Sequence, residues 1–309
     1  MPEPAESVFP SIAEHPLDVL RAADILIARH GACVLAVVTA TEGGAVRAPG
    51  AMMAVGPDGT RFGYLSGGCI DADAAASAVE ALAAGEVCRK RYGLGSAMRD
   101  LALPCGGGID VAFVPVSDVS ALLAALQRRA CVSFGVSEHG LALNGLFSIT
   151  PKLRLRIAGR GADLLALART AGTCGYEVRA QTPDADCQAD LERAGVAVET
   201  LQVPRDLPPA EDDAWTAFVL MFHDRDWEVP LLQQALAGDA FYIGAVGSSR
   251  AHALRLDALR AAGTDARAAA RIHGPIGLVP SMRDASSLAI STLAEILAEF
   301  KTNTLKVAA

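Results

Sequence analysis

Helical and strand patterns follow one another irregularly in the first half of the chain. Apolar residues recur at helical spacing between Pro16 and Gly31, which predicts a helix from about 16 to 30. An alanine-rich stretch after Cys69 predicts a second helix that ends near Ala84. Asn144-Gly145 predicts a hairpin between 141–143 and 146–149. Apolar runs bounded by turn residues predict strands at 32–39, 51–55, 61–65, 87–92 and 109–116.

The pattern changes at Thr150-Pro151, after which short apolar strands alternate with helical stretches. This alternation is typical of βαβ units and a parallel sheet. We therefore predict an α/β protein with two domains. A small mixed α/β domain, residues 1–150, precedes a Rossmann-like doubly wound parallel sheet, residues 151–309. The strands of this sheet are expected at 153–158, 176–180, 196–203, 217–221 and 241–245, with two later helices from about 249 and 284.

Composition excludes several classes of function. The 309 residues carry a formal net charge of −8, which disfavours binding to nucleic acid or anionic membranes. The apolar runs are too short to span a bilayer. The odd count of seven cysteines and an acidic, proline-containing start without a secretory pattern lead us to expect a cytoplasmic protein with free thiols. Cys33, Cys131 and Cys174 are expected in the core.

Two glycine-rich segments with a cysteine are candidates for chemistry. In Ser66-Gly67-Gly68-Cys69, the cysteine falls between a strand and a helix, so its thiol is expected at a helix N-terminus, where the dipole favours thiolate. In Cys105-Gly106-Gly107, the glycines leave backbone N–H groups free for an anion. Buried free cysteines without function are also common. No Cys-x-x-Cys spacing occurs, so a structural zinc site is not indicated.

Arg47 lies in a loop rich in small residues. Its guanidinium could hold a phosphate or carboxylate, and a solvated loop arginine is an equally good interpretation.

The segment Gly159–Leu164 occupies the position of a Rossmann phosphate loop. Leu164 replaces the third glycine, Asp163 adds negative charge, and Gln181 stands where a ribose-binding carboxylate is usual. A sheet that binds no dinucleotide is therefore favoured. His223 and the Gly244–Ser248 turn, which includes Gly247, follow later strands and are expected at the same crevice.

Taken together, these segments resemble the XdhC/CoxI family of accessory proteins for molybdenum hydroxylases. The resemblance covers nearly the whole chain. It rests on Thr41-Glu42-Gly43 through Met53, Asp58-Gly59, Ser66–Cys69, Cys105–Gly107, Tyr242–Arg250, Arg271–Leu278 and Ala289–Ile296.

The resemblance implies a protein that transiently binds molybdenum cofactor, protects it during sulfuration and delivers it to an apo-hydroxylase such as xanthine dehydrogenase. It implies an insertion chaperone rather than a catalyst with its own turnover. An apo molybdenum hydroxylase is the expected partner, a cysteine desulfurase is a further candidate, and a homodimer is expected. Cys69 is the candidate molybdenum contact. The candidate cofactor-binding residues are Arg47, Ser66, Gly67, Gly68, Cys69, Asp71, Cys105, Gly106, Gly107, Gly159, Gly161, His223, Gly247 and Ser248.

The chain departs from the family pattern at the nucleotide crevice. Arg160 interrupts the usual Gly-Ala-Gly loop, Gln181 replaces an aspartate, Phe222 replaces a threonine, and Ser286-Ser287 replace an acidic pair. We therefore do not expect NAD(P) as a cofactor. An NAD(P)-dependent oxidoreductase is the alternative, and a purely structural partner of a hydroxylase is a third hypothesis.

Overall fold

A computed structural model describes residues 13–45, 47–96 and 106–307. It divides into two compact units, Met1–Pro151 and Lys152–Ala309. The helices of the first unit are α1 (Pro16–His30), α2 (Asp71–Ala84) and α3 (Ser120–Gln127). Its strands are β1 (Cys33–Glu42), β2 (Met52–Val55), β3 (Arg61–Gly63), β4 (Cys88–Gly93), β5 (Gly108–Val116), β6 (Val132–Ser137), β7 (Gly140–Leu143) and β8 (Phe147–Ile149).

Within its described residues, the first unit contains a five-stranded antiparallel sheet in the order β3-β2-β1-β5-β4. Side chains alternate between the faces of a strand. Leu35 and Val37 of β1 therefore pack in the core that includes α1, while Val34 and Ala36 pack in the core that includes α2. Because both faces of the sheet are covered at β1, the buried part of this strand is a continuous run of apolar residues. The predicted helices at 16–30 and after Cys69 are confirmed.

The predicted hairpin at Asn144-Gly145 is wrong. Among the described strands, β7 and β8 each pair with β6, in the order β7-β6-β8, and the tight turn joins β6 to β7. Asn144 does adopt the left-handed region, with φ 62. Its N–H donates to Ser133 O over 2.8 Å, and Gly145 packs so closely on β6 that a Cβ would come within 2.2 Å of Gly135 N. The Asn-Gly pair therefore lies in the connection that crosses β6, from β7 on one side to β8 on the other.

The second unit contains, within the described chain, a six-stranded parallel sheet in the order β11-β10-β9-β12-β13-β14. Its strands are β9 (Arg154–Gly159), β10 (Glu177–Thr182), β11 (Ala197–Thr200), β12 (Thr216–Met221), β13 (Tyr242–Ala245) and β14 (Ile272–His273). Its helices are α4 (Gly161–Thr173), α5 (Ala185–Arg193), α6 (Arg225–Ala237), α7 (Ser249–Ala261), α8 (Ala266–Ala269) and α9 (Ala285–Val307). The strand order runs outward in both directions from the β9/β12 pair, as in Rossmann folds. The predicted Rossmann-like doubly wound sheet is confirmed.

The cysteines depart in part from the sequence expectation. Cys33 is buried, and burial raises the pKa of its thiol to about 12. The expectation that Cys131 and Cys174 lie in the core is wrong, because both are exposed. Cys131 precedes β6 and Cys174 is the C-cap of α4, so both lie at the ends of elements, where side chains reach solvent. No helix of the described ranges is long and apolar enough to cross a membrane.

Candidate functional site

Three loops of the first unit lie at one end of its five-stranded sheet. Strand β1 ends there and antiparallel β2 begins there, so the loop after Glu42 is at this end. Strand β3 is antiparallel to β2 and ends there, which places the Tyr64–Ile70 loop beside it. The same reasoning places the end of β4 and the start of β5, with Gly106 just before it, at this end. The topology thus gathers the candidate segments that contain Arg47, Cys69 and Gly106.

Asp71 organises the loop that carries Cys69. The Asp71 side chain is buried, and its carboxylate accepts hydrogen bonds from Leu65 N–H at 2.6 Å and Gly68 N–H at 2.6 Å. It also accepts from the N–H and hydroxyl of Ser66, at 3.3 and 2.8 Å. Burial raises the pKa of Asp71, but these hydrogen bonds outweigh burial and hold the pKa below its usual value. Asp71 and Ser66 therefore fix the conformation of this loop through hydrogen bonds.

Cys69 is exposed near the end of this loop. Gly67 and Gly68, with φ 74 and 114, allow the sharp turn that brings it there. Cys69 immediately precedes Ile70, the N-cap of α2. Over the described part of the chain, no group of three or more His, Cys, Asp or Glu side chains could hold a metal ion.

The glycine run before β5 packs against the end of β1. Gly106 forms a parallel bridge with Gly44, and a Cβ on Gly107 would come within 2.4 Å of Gly44 O. These glycines therefore allow a close approach of two backbones. Cys105, which immediately precedes them, lies outside the described residues.

Arg47 borders a separate cavity of 310 Å³, which His15, Pro49, Gly50 and Thr150 also line. The Arg47 guanidinium stacks on the Tyr64 ring at 4.6 Å, and its Nη2 donates to Glu14 O at 2.5 Å. Its Nε is buried without a hydrogen-bond partner among the described residues. The stack on Tyr64 brings Arg47 to the start of the loop that contains Ser66.

In the second unit, the loop after β9, which occupies the position of a Rossmann phosphate loop, donates a hydrogen bond to a cysteine. A Cβ at position 159 would lie 2.5 Å from Met221 Cβ, so glycine there allows β9 and β12 to approach closely. Gly161, with φ 70, begins α4, and its N–H donates to the sulfur of Cys187 at 3.1 Å. Sequence reasoning missed this contact, because Cys187 lies on α5 and carries no motif. One backbone donor of this loop is therefore occupied within the protein.

Gln181 is also engaged within the protein. It is buried, its Oε1 accepts from Arg156 Nη1 at 3.0 Å, and its Nε2 donates to Glu199 Oε2 at 2.8 Å. Arg156 is held in turn by Asp212, with Nε to Oδ1 at 2.8 Å. The end of β10 is therefore a closed polar network rather than an open ribose site.

A cavity of 680 Å³ lies at the carboxyl ends of β12 and β13. The structure brings His223, Gly247 and Ser248 together there, whereas Gly159 and Gly161 do not line it. Asp163 and Arg283 line the same cavity. Sequence reasoning missed Arg283, which precedes α9 in a loop without periodicity.

A partly buried pair supports one wall of this cavity. Glu295 on α9 contacts His273 of β14, with Oε1 3.3 Å from Nδ1, and its other oxygen accepts from Gly277 N–H in the cavity wall. The hydrogen bond to Glu295 raises the pKa of His273. Burial raises the pKa of Glu295, but its hydrogen bonds with His273 and Gly277 outweigh burial and lower it. The pair fixes the segment before Pro280.

This fold and these sites define an α/β protein in which a Rossmann domain follows a domain with an exposed cysteine loop. A sequence profile described as the XdhC Rossmann domain matches residues 155–296, and one described as the XdhC and CoxI family matches residues 26–93. The chain belongs to the XdhC and CoxI family, which confirms the resemblance read from its motifs.

One curated relative and one solved structure illustrate the similarity. The molybdenum cofactor insertion chaperone PaoD of Escherichia coli (strain K12) is 35% identical over 292 residues, which cover 89% of this chain and 85% of the relative. A crystal structure described as a xanthine dehydrogenase from Bacillus halodurans is 22% identical, with a TM-score of 0.73 over 92% of this chain and 96% of that chain. The second comparison shows a shared fold.

Proposed function

We propose that the protein binds molybdenum cofactor and inserts it into an apo molybdenum hydroxylase. The observation that carries this proposal is the similarity, along most of both chains, to a relative named as a molybdenum cofactor insertion chaperone. In this proposal the protein protects the cofactor while its terminal sulfido ligand is installed, and then releases it. A cysteine desulfurase is the candidate sulfur donor, and the protein acts as a homodimer.

The exposed cysteine loop has the chemistry that this cargo requires. A molybdenum dithiolene is a soft centre, for which thiolate is a suitable ligand. Cys69 is exposed to solvent on a loop whose backbone N–H groups are hydrogen-bonded to Asp71. The N-terminus of α2 begins directly after it, so its partial positive charge favours an anionic group there. Cys69 is therefore our candidate contact to the metal.

The proposal excludes NAD(P) as a working cofactor of the Rossmann domain. Its support is that Gly161 N–H is bonded to Cys187 and that Gln181 replaces the ribose-binding acid. Loss of a charge-assisted hydrogen bond weakens binding about 10- to 150-fold. Calorimetric titration should give no saturable heat with either dinucleotide. Low-micromolar binding of NADP(H) or NAD(H) would instead favour the oxidoreductase alternative.

The direct test is activation of an apo molybdenum hydroxylase in an anaerobic mixture with cofactor and a sulfur donor. Addition of the protein should raise the yield of active hydroxylase, and Cys69→Ala should remove most of that gain. Cys88→Ala is the matched control, because Cys88 is also exposed but lies on β4. Equal activation by the Cys69→Ala protein would remove Cys69 from the site.

Thiol labelling tests Cys105, the second candidate cysteine. If Cys69 and Cys105 line one cavity, a bulky reagent on one should slow modification of the other, and bound cofactor should protect both. Labelling rates that are independent of each other and of cofactor would place the two thiols in separate environments.

A further inference from the structure

The start of α7 supplies backbone donors at the cavity beyond β12 and β13, which Ser248 and Ser249 line. At the start of α7, Ser248 satisfies two of the first N–H groups, one through its hydroxyl at 3.2 Å and one through its carbonyl at 2.9 Å. The N–H groups of Ser249 and Arg250 are left without an intrahelical partner. The start of α7 therefore offers an anion backbone donors at this cavity.

An arginine side chain adds positive charge at this position. Arg283 lines the cavity, is exposed, and has no carboxylate within ion-pair distance among the described residues. Arg255 does not line the cavity: it is buried on α7, where it is ion-paired with Glu228 at 3.1 Å and its Nη2 donates to Val246 O at 2.8 Å, under the turn that ends at Gly247. A helix N-terminus with an arginine free to pair with an anion, here Arg283, is typical of phosphate sites.

Asp163 provides a different chemistry at the other side of the cavity. It lies in the first turn of α4, lines the cavity and has no hydrogen-bond partner in the described ranges. The ends of β9 and β13 are separated by β12, which places the two sides about 10 Å apart. A carboxylate accepts hydrogen bonds only, so it suits a ring edge with two adjacent N–H donors. The other lining carboxylate, Asp284, is engaged with Ser287 N–H at 2.8 Å and caps α9.

We propose that this cavity binds a fused 2-amino-4-oxopyrimidine ring that carries a phosphate monoester. The ring edge contacts Asp163, and the phosphate contacts Arg283 and the N-terminus of α7. The natural occupant rests on the proposed function, because the pterin phosphate of the cargo has this chemistry; guanine nucleotides share the same ring edge. The ligand therefore lies across β12, with its phosphate far from the β9 loop that dinucleotides use.

GMP is a stable probe of this chemistry. Calorimetric titration of the full chain should show saturable binding of GMP, with AMP and guanosine each about 10- to 150-fold weaker, because AMP lacks the paired N–H edge and guanosine lacks the phosphate. Arg283→Gln and Asp163→Asn should each weaken GMP binding by a similar factor. Arg169→Gln, at an exposed arginine of α4 outside the cavity, should leave it unchanged.

Three results would overturn the assignment of the cavity: no binding of GMP at millimolar concentration, equal binding of AMP, or no effect of either cavity variant. Protein loaded with molybdenum cofactor should exclude GMP, and unchanged GMP binding to loaded protein would contradict the pterin as natural occupant. Selective GMP binding by a protein that never retains molybdenum cofactor would contradict the proposed function and leave the ligand class of the cavity standing.

Discussion

Replacement of Asp71 by alanine removes the acceptor that holds the loop before Cys69. The carboxylate accepts from the backbone N–H groups of Leu65, Ser66 and Gly68 and from the Ser66 hydroxyl. A hydrogen bond to a charged group contributes about 1.5–3 kcal/mol, but these bonds share one acceptor and the opened loop can reach water, so we expect a total loss of about 3 kcal/mol. For a domain of this size that lowers the melting temperature by about 6–12 °C.

Differential scanning calorimetry is the suitable assay for this variant, because both tryptophans, Trp215 and Trp227, lie in the second unit and do not report on the first. The folded pKa of Asp71 is below its unfolded value, so its stabilisation is present above about pH 4 and is lost as the pH falls through the folded pKa. Asp24→Ala, at an exposed position of α1, should change stability by less than about 0.5 kcal/mol. An Asp71→Ala protein as stable as the wild type at pH 7 would refute this reasoning.

Three further predictions concern the second unit. Arg255→Met leaves the buried Glu228 carboxylate unpaired and should lower the free energy of unfolding of this unit by about 3–5 kcal/mol. Urea denaturation followed by tryptophan fluorescence measures the loss, and stability should recover when Glu228 is also replaced by Leu. No loss in the single variant would contradict this. Gly247, at φ 137, should cost about 1–3 kcal/mol when changed to Ala, measured in the same way, and an unchanged midpoint would exclude strain there. The pKa of His273 is raised by its hydrogen bond to Glu295, so the stabilisation by this pair is full below about pH 6.5 and is lost as the pH rises through the folded pKa. His273→Gln should therefore be less stable than wild type at pH 6, with a smaller difference at pH 9 in calorimetry, and a gap independent of pH would argue against the pair.

The regular elements could be predicted because their determinants are local. Gly31 and Gly85 adopt the left-handed conformation that ends α1 and α2, with φ 83 and 70, as glycine after an apolar helical repeat suggests. The alternation of short apolar strands with helices was sufficient for the Rossmann sheet, because parallel strands need crossover connections.

Other features depend on contacts between residues that are distant in sequence. The Asn144 conformation was predictable, but its use in crossing β6 depends on the glycine contact at Gly135. The bond between Gly161 and Cys187 joins two helices, and neither residue signals the other. Cavity lining by Arg283 likewise follows from how the loop before α9 returns to the sheet. Sequence patterns therefore identified the candidate segments but not which backbone donors remain free.

Cofactor binding is tested most directly by the molybdenum and pterin content of the protein purified anaerobically from cells that make the cofactor. We expect molybdenum and pterin in near-stoichiometric and equal amounts in the wild-type protein and in Cys88→Ala, with a large loss in Cys69→Ala. Neither metal nor pterin above background in the wild-type protein would contradict it.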